Sequence, residues 1–272
     1  MTQQNPELDI GSFAALGDSF TEGLNDPHPG GGFMGWADRV AAVLAERAPG
    51  FRYANLAVRG KLVDQVIAEQ VPRAIELAPD LVSLAAGGND ILRGTDVDVL
   101  AAQFEPAVAA LCAAGCRVLI FTGFDPRTFP VIRLLRGRIA AYDMHLRAIA
   151  DDHGCQLVDL WSMRVLRDPR AWSPDRLHLT SEGHRRVALR TCEVLGIPAA
   201  EDWRAPLSRT PGPPEAGGRS SGWLAARRQD ARWARQFAVP WFRRRLSGTS
   251  SGDGLDPKRP ELLPLRPERV TR

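Results

Sequence analysis

Short apolar runs alternate with segments of helical periodicity along the first 200 residues. The runs are rich in Val, Ile, Leu and Phe, which predicts buried strands at residues 11–17, 51–56, 80–86, 117–122 and 156–160. Between the runs, apolar residues recur every three to four positions, which predicts helices at 36–47, 61–77, 97–114, 131–152 and 181–195. Pro72 is expected to kink or divide the second of these helices.

This regular alternation predicts an α/β fold with a five-stranded parallel sheet and helices on both faces. In such sheets the ligand crevice lies beyond the carboxyl ends of the strands. The glycine and polar residues that stand out from this apolar pattern follow the predicted strands. They are Gly17-Asp18-Ser19, the stretch 55–60, Gly87-Gly88-Asn89-Asp90, and the pair Asp175 and His178.

The composition changes near Trp203, and this change divides the chain. We predict a catalytic domain at 1–200, a Pro/Gly/Ser-rich linker at 201–222, a basic amphipathic helical segment at 223–246 and a disordered tail at 247–272. The net charge of +3 conceals an asymmetry: residues 206–272 carry 14 Lys and Arg against 6 Asp and Glu, a net of +8, so the rest carries −5.

The basic segment 223–246 has two main interpretations. Trp233, Phe237 and Trp241 fall on one helical face, although Pro240 should disturb its end. The aromatic face is expected to pack on the acidic domain, or else the segment contacts an anionic membrane surface. Nucleic-acid binding is disfavoured because no motif supports it.

The N-terminal residues and the cysteines indicate the cellular compartment. The first residues lack a basic and apolar leader, and no apolar run approaches the ~20 residues of a membrane span. The four cysteines show no metal-ligand spacing, so we expect reduced thiols and no zinc site. We therefore predict a cytoplasmic protein, with the inner membrane surface as an alternative peripheral location.

Ser19 and His178 are the candidate reactive groups. Ser19 lies where an apolar strand turns into a helix, which can expose its hydroxyl. Asp175 precedes His178 by three residues, so its carboxylate can reach one imidazole nitrogen and leave the other as a base. His184, inside the last helix beside two arginines, is expected to be exposed.

Three groups could stabilise an oxyanion at the same end of the sheet. Gly60 permits a close backbone approach, Asn89 can direct its amide inward, and Ser19 has its backbone N–H at a helix start. Each motif alone is also compatible with an ordinary turn or helix cap. Their joint occurrence favours a serine hydrolase, although the G-x-S-x-G elbow of α/β-hydrolases is absent.

Taken in order, these segments resemble the SGNH hydrolases, also called the GDSL lipase/esterase family, over residues 11–197. Gly17-Asp18-Ser19-Phe20 resembles the first block with Phe in place of Leu, and the remaining blocks match at Gly60, at 87–90 and at 175–178. Ala57 departs from the family, since many members have Gly there.

The resemblance implies a flavodoxin-like three-layer α/β/α sandwich and a role for each block. By it, Ser19 is the nucleophile, His178 the base and Asp175 its orienting carboxylate, with Ser19, Gly60 and Asn89 forming the oxyanion hole. It implies a metal-independent esterase, without a cofactor, acting on small acetyl or short-acyl carboxylic esters. A membrane-associated lipid acylhydrolase or thioesterase is the alternative, and a module that binds an acylated or anionic partner is the non-enzymatic one.

Overall fold

A single mixed sheet forms the centre of the protein. The computed structural model describes residues 9–129, 131–198, 201–207, 235 and 250–265. The strands are, in chain order, β1 (Ser12–Gly17), β2 (Arg52–Asn55), β3 (Leu81–Ala85), β4 (Arg117–Phe121), β5 (Gln156–Val158) and β6 (Arg259–Pro264). Their order in the sheet is β5-β4-β3-β1-β2-β6. The first five are parallel, whereas β6 runs antiparallel to β2.

Helices connect the parallel strands. They are α1 (Ser19–Glu22), α2 (Gly35–Ala45), α3 (Val63–Gln65), α4 (Val71–Leu77), α5 (Gly88–Arg93), α6 (Val97–Ala113), α7 (Arg136–Asp152) and α8 (Ser181–Val194). Short 3₁₀ turns occur at Ile132–Leu135, Arg164–Arg167 and Pro169–Ala171. Helix α2 packs against α8, and α6 packs against both α4 and α7. The prediction of an α/β sandwich is therefore confirmed.

The core lies on both faces of the central strands. Every residue of β1 and β3 is buried, as expected for parallel strands covered on two sides. The largest fully buried side chains include Trp36, Phe13 and Phe104. This burial fixes the ends of β1 and β3, from which the Gly17-Asp18-Ser19 and Gly87-Gly88-Asn89 turns emerge.

The helix predicted at 61–77 is divided, as the position of Pro72 suggested. A π-helical turn at Val66–Gln70 separates α3 from α4, and Pro72 lies in the first turn of α4, where its missing N–H costs no helical hydrogen bond. The helix predicted at 131–152 begins later than expected. Its first residues form the 3₁₀ turn, and the α-helix starts at Arg136.

Strand β6 corrects two predictions. The sheet has six strands rather than five, and its sixth strand, Arg259–Pro264, falls within the predicted disordered tail 247–272. Pro260 and Pro264 argue locally against a strand, but Pro is tolerated on an edge strand because its missing donor faces outward. The Leu265 N–H donates to the carbonyl of Phe51 (2.9 Å) and extends the pairing.

The packed core extends past residue 200, the predicted end of the catalytic domain. Trp203 and Leu207, placed in the linker 201–222 by composition, are buried in the core. The indole N–H of Trp203 donates to Glu193 (2.6 Å). The basic segment 223–246 lies outside the described residues except for Arg235. No helix within the described residues combines the length and apolar character needed to cross a membrane.

Candidate active site

Ser19 occupies the first position of α1, immediately after β1. The Asp18 side chain caps this helix by accepting the backbone N–H of Phe20 (3.0 Å). Gly17 allows the sharp exit from the strand, because its φ is +148° and a Cβ there would clash with the Ala85 carbonyl. The serine hydroxyl consequently stands at the carboxyl edge of the sheet.

The loop before α8 brings His178 to Ser19. The Nε2 atom of His178 lies 3.0 Å from the Ser19 Oγ, and its Nδ1 lies 2.8 Å from the Asp175 Oδ2. The loop is closed at its base by the Ser173 N–H, which donates to the His178 carbonyl (2.8 Å). The three residues that sequence reasoning selected as a catalytic group therefore lie in one hydrogen-bonded series.

Asp175 is held as a carboxylate. Burial alone would raise its pKa, but hydrogen bonds from the His178 ring and from the backbone N–H groups of Leu177 and His178, together with the attraction of His178, lower the pKa to about 2. An ionised Asp175 can accept a hydrogen bond from His178 Nδ1, an arrangement that directs Nε2 towards the Ser19 hydroxyl.

Asn25 is a site residue that the sequence analysis missed. Its side-chain amide donates to the Asp175 Oδ2 (2.8 Å) across 150 residues of sequence. Its backbone has φ +70°, a conformation that Asn tolerates better than most residues. The only local signal was the turn-forming Asn25-Asp26-Pro27 stretch, which carries no indication of its partner.

The three proposed oxyanion donors converge on the same crevice. Gly60 has φ +77° and, like Ser19 and Asn89, lines the cavity beside His178. The Asn89 Nδ2 donates to the Asp18 Oδ2 (2.9 Å) and to the Lys61 carbonyl (3.0 Å), so both amide hydrogens are engaged. Donation to a substrate oxygen therefore requires a shared or redirected hydrogen bond.

Loop 55–60 is shaped by side-chain hydrogen bonds. The Asn55 Oδ1 accepts the Ala57 N–H (3.1 Å), and its amide donates to the Thr21 carbonyl (3.0 Å). Arg59 donates its backbone N–H to Glu22 (2.8 Å) and also pairs with it through the guanidinium. Because Ala57 precedes this anchor, its departure from the family pattern leaves Gly60 at the crevice.

The crevice opens into a cavity of about 350 Å³. Ser19, His178, Gly60 and Asn89 stand on its wall. Much of the remaining lining consists of apolar side chains, among them Phe20, Phe121, Phe124, Ile132, Leu135, Ile139, Leu146, Leu160, Leu166, Trp172 and Leu177. An apolar cavity with a few converging polar groups is typical of a small-molecule site.

Two buried acids border this cavity. Burial raises the pKa of Asp18, which caps the helix that begins at Ser19, to about 6. Burial also raises the pKa of Asp143 to about 8, although the Gly123 N–H donates to it (2.7 Å) and opposes the shift. Asp143 is therefore protonated over much of the neutral range, whereas Asp175 remains charged.

The predicted exposure of His184 is wrong. His184 is 1% exposed, and its Nδ1 accepts the backbone N–H of Trp36 (3.2 Å). Burial lowers its pKa to about 4, because the apolar surroundings disfavour the imidazolium. Sequence position suggested exposure because Arg185 and Arg186 are neighbours, but α8 turns its His184 face onto α2.

The cysteines of the described residues are free thiols, with the Sγ atoms of Cys112 and Cys155 3.6 Å apart. Within the same part of the chain, no group of three or more His, Cys, Asp or Glu is arranged to hold a metal ion.

Comparisons with known proteins agree with this architecture. The acetylxylan esterase Axe2 from Geobacillus stearothermophilus is similar at 21% identity and a TM-score of 0.59, over 73% of this chain and 99% of that chain. TesA is similar at 22% identity and a TM-score of 0.58, over 68% and 97%. LAE5, an alpha/beta hydrolase from the metagenome of Lake Arreo, Spain, is similar at 23% identity and a TM-score of 0.55, over 68% and 95%.

At these identities the likeness to solved structures shows the fold. A search of curated protein sequences found no significant match. The model of the GDSL-like lipase/acylhydrolase family matches residues 15–186, a span that contains Ser19, Gly60, Asn89, Asp175 and His178. The chain therefore belongs to the GDSL-like lipase/acylhydrolase family, whose members are hydrolases acting on ester bonds.

Proposed function

We propose that the chain is a serine esterase in which Ser19 is the nucleophile. The observation that carries this proposal is the hydrogen-bonded series from Ser19 through His178 to Asp175, with distances of 3.0 and 2.8 Å. His178 accepts the hydroxyl proton at Nε2 as the serine oxygen attacks the ester carbonyl. The Asp175 carboxylate orients the imidazole and stabilises the imidazolium.

The oxyanion formed by this attack is held by the backbone N–H groups of Ser19 and Gly60 and by the Asn89 amide, which shares or redirects one of its hydrogen bonds to Asp18 and the Lys61 carbonyl. Loss of one such donor typically costs about 10²–10³ in rate. His178 then gives its proton to the departing alcohol. In the second half of the reaction His178 takes a proton from water, and this water hydrolyses the acyl-Ser19 intermediate. The mechanism uses protein groups and water, so EDTA is expected to leave the rate unchanged.

Small carboxylic esters with acetyl or short acyl groups are the substrates of the main proposal. The test compares the parent protein with Ser19→Ala on p-nitrophenyl acetate. We expect a loss of at least ~10³-fold in kcat, because the nucleophile is removed. Ser162→Ala, at an exposed serine that does not line the cavity, is the matched control. Equal hydrolysis by Ser19→Ala and the parent would show that Ser19 is not the nucleophile, and a parent without activity would favour the non-enzymatic binding module.

The apolar cavity supports a second candidate, a lipid acylhydrolase or thioesterase that accepts longer acyl groups. Each buried methylene contributes ~0.8 kcal/mol, so a cavity that accommodates the chain should favour it. Rates on p-nitrophenyl esters from acetate to decanoate distinguish the candidates. A maximum at acetate or butyrate supports the main proposal, and a maximum at octanoate or beyond supports the second.

The basic segment 223–246 motivates a separate proposal, that a cytoplasmic enzyme contacts the inner membrane surface. The charge of its arginines is the support. Replacing Arg243, Arg244 and Arg245 with Gln should reduce co-sedimentation with phosphatidylglycerol vesicles and leave the weaker partition onto phosphatidylcholine vesicles unaffected. Unchanged partition onto phosphatidylglycerol would instead favour packing of this segment on the domain.

A further inference from the structure

The described C-terminal segment, residues 250–265, returns to the active site from outside the family-matched region 15–186. Its first residues, Ser250 and Ser251, line the same cavity as Ser19 and Gly60. They stand on the side of the proposed oxyanion donor Gly60. Two hydroxyl-bearing side chains thus form part of the wall beside the reacting carbonyl.

This segment packs closely against loop 55–60, which carries the proposed oxyanion donor Gly60. A Cβ on Gly60 would overlap the Ser250 Oγ, and a Cβ on Gly252 would overlap the Arg59 carbonyl. The turn itself is held by the Ser250 N–H, which donates to Asp253 (2.6 Å), and by the Gly252 N–H, which donates to the Ser250 Oγ (3.3 Å). The Ser250 hydroxyl is therefore fixed at the Gly60 backbone.

Lys258 anchors the segment to the nucleophile helix. Its ammonium donates to the carbonyl of Glu22 (2.6 Å), the last residue of the helix that begins at Ser19. It also lies near the carbonyls of Phe33 (3.0 Å) and Met34 (2.8 Å) and the carboxylate of Asp38 (2.6 Å). Beyond Lys258, β6 pairs with β2 and fixes the rest of the segment.

We propose that Ser250 and Ser251 are specificity-determining residues that recognise the alcohol portion of the ester. This inference rests on the proposed function. The apolar walls of the cavity suit an acyl group, whereas the serine hydroxyls beside Gly60 suit a leaving alcohol that carries further hydroxyl groups, as in a glycerol or sugar ester. A hydroxyl can both donate and accept, so it matches a polyol better than it matches an apolar alcohol.

The experiment compares two acetates, glyceryl monoacetate and p-nitrophenyl acetate, which share the acyl group and differ in the alcohol. Their ratio of kcat/KM should fall about two- to tenfold in Ser250→Ala and in Ser251→Ala, the effect of losing one hydrogen bond. The loss should reside mainly in KM for glyceryl monoacetate. Leu255→Ala, an exposed position in the same segment, should keep the parent ratio.

Thermal denaturation of each variant separates a local effect from misfolding, and Ser250→Cys provides a second variant of similar size with a weaker donor. If both alanine variants fold and keep the parent ratio, the inference is wrong while the esterase proposal stands. If the parent hydrolyses neither acetate nor longer acyl esters, the esterase proposal fails and this inference fails with it.

Discussion

At the residue scale, Asp175 illustrates how an active-site charge is kept in a partly buried position. Its Oδ1 accepts two backbone N–H groups, and its Oδ2 accepts the His178 ring and the Asn25 amide. Hydrogen bonds to the charged form of a carboxyl lower its pKa. Asn25 therefore helps to hold the Asp175 carboxylate in place beside His178, the proposed base.

We predict that Asn25→Gly lowers kcat about tenfold, with KM within twofold of the parent value. Glycine accepts the φ of +70° and removes only the amide that donates to Asp175, a hydrogen bond to a charged group worth ~1.5–3 kcal/mol. Steady-state kinetics on p-nitrophenyl acetate measure the effect. Asn25→Asp should lose more, because it places a second carboxylate beside Asp175. Parent-like turnover in both variants would refute a positioning role.

The raised pKa of Asp143 predicts that the stability of the protein depends on pH. Its pKa is raised by burial from 3.8 to about 8, so the folded state binds its proton more tightly than the unfolded state. The stabilising contribution of Asp143 to the free energy of unfolding is therefore fully present below pH ~4 and decreases as the pH rises towards 8. Above pH ~8 it no longer changes with pH.

Asp143→Asn should weaken this dependence, since the amide oxygen can still accept the Gly123 N–H and no proton is lost. Urea denaturation of both proteins at pH 5, 7 and 9 provides the measurement. We expect the loss of stability between pH 5 and 9 to be smaller in the variant, with ~1.4 kcal/mol for each pKa unit of the shift. Parallel stability curves would contradict the assignment.

At the scale of elements, the π-helical turn at 66–70 supports the strand end that carries Ser19, the proposed nucleophile. It ends at Gln70, whose Oε1 accepts the Gly17 N–H (2.8 Å) and whose Nε2 donates to the Gly17 carbonyl (2.9 Å). Both groups are buried where β1 turns towards Ser19. A π-turn placed next to an active-site strand end is consistent with the frequent use of such turns at functional sites.

Gln70→Leu should destabilise the protein by ~1–3 kcal/mol, because the buried Gly17 N–H loses its acceptor. It should also reduce turnover, since the turn that carries Ser19 loses two fixed contacts. Chemical denaturation and the p-nitrophenyl acetate assay measure the two effects. Gln103→Leu, at an exposed position of α6, is the matched control and should remain within ~0.5 kcal/mol. Equal stability of the two variants would refute this account.

At the scale of the whole molecule, β6 closes one edge of the sheet. It covers the backbone of β2, which would otherwise present unpaired N–H and C=O groups to solvent. The same segment carries Lys258 to the end of the helix that begins at Ser19 and carries Ser250 to the cavity. Sheet completion and the shape of the site are therefore linked through one stretch of chain.

A chain that ends at residue 249 should have a lower Tm than the parent and a greater tendency to aggregate, because the edge of β2 becomes exposed. A chain that ends at Leu265 keeps every described contact of β6 and is the control. Thermal melts and light scattering at equal concentration measure both properties. Equal melting of the two truncated chains would show that β6 contributes little to the stability of the sheet.

The sequence by itself determined the five parallel strands and the order of the blocks at their ends. Strand and helix periodicities are local, and parallel topology brings the carboxyl ends of strands to one edge. Ser19, Gly60, Asn89, Asp175 and His178 could therefore be selected without coordinates. The Asp175–His178 pair was especially easy to predict, because its members are only three positions apart in the sequence.

Only the tertiary structure decided which distant groups meet. Asn25 reaches Asp175 across 150 residues, β6 joins β2 in spite of two prolines, and His184 faces Trp36 rather than solvent. Sequence patterns report how a segment behaves alone, whereas these contacts depend on which surfaces the completed fold leaves uncovered. The partner of a loop amide, an edge strand or one helix face is therefore set by long-range packing.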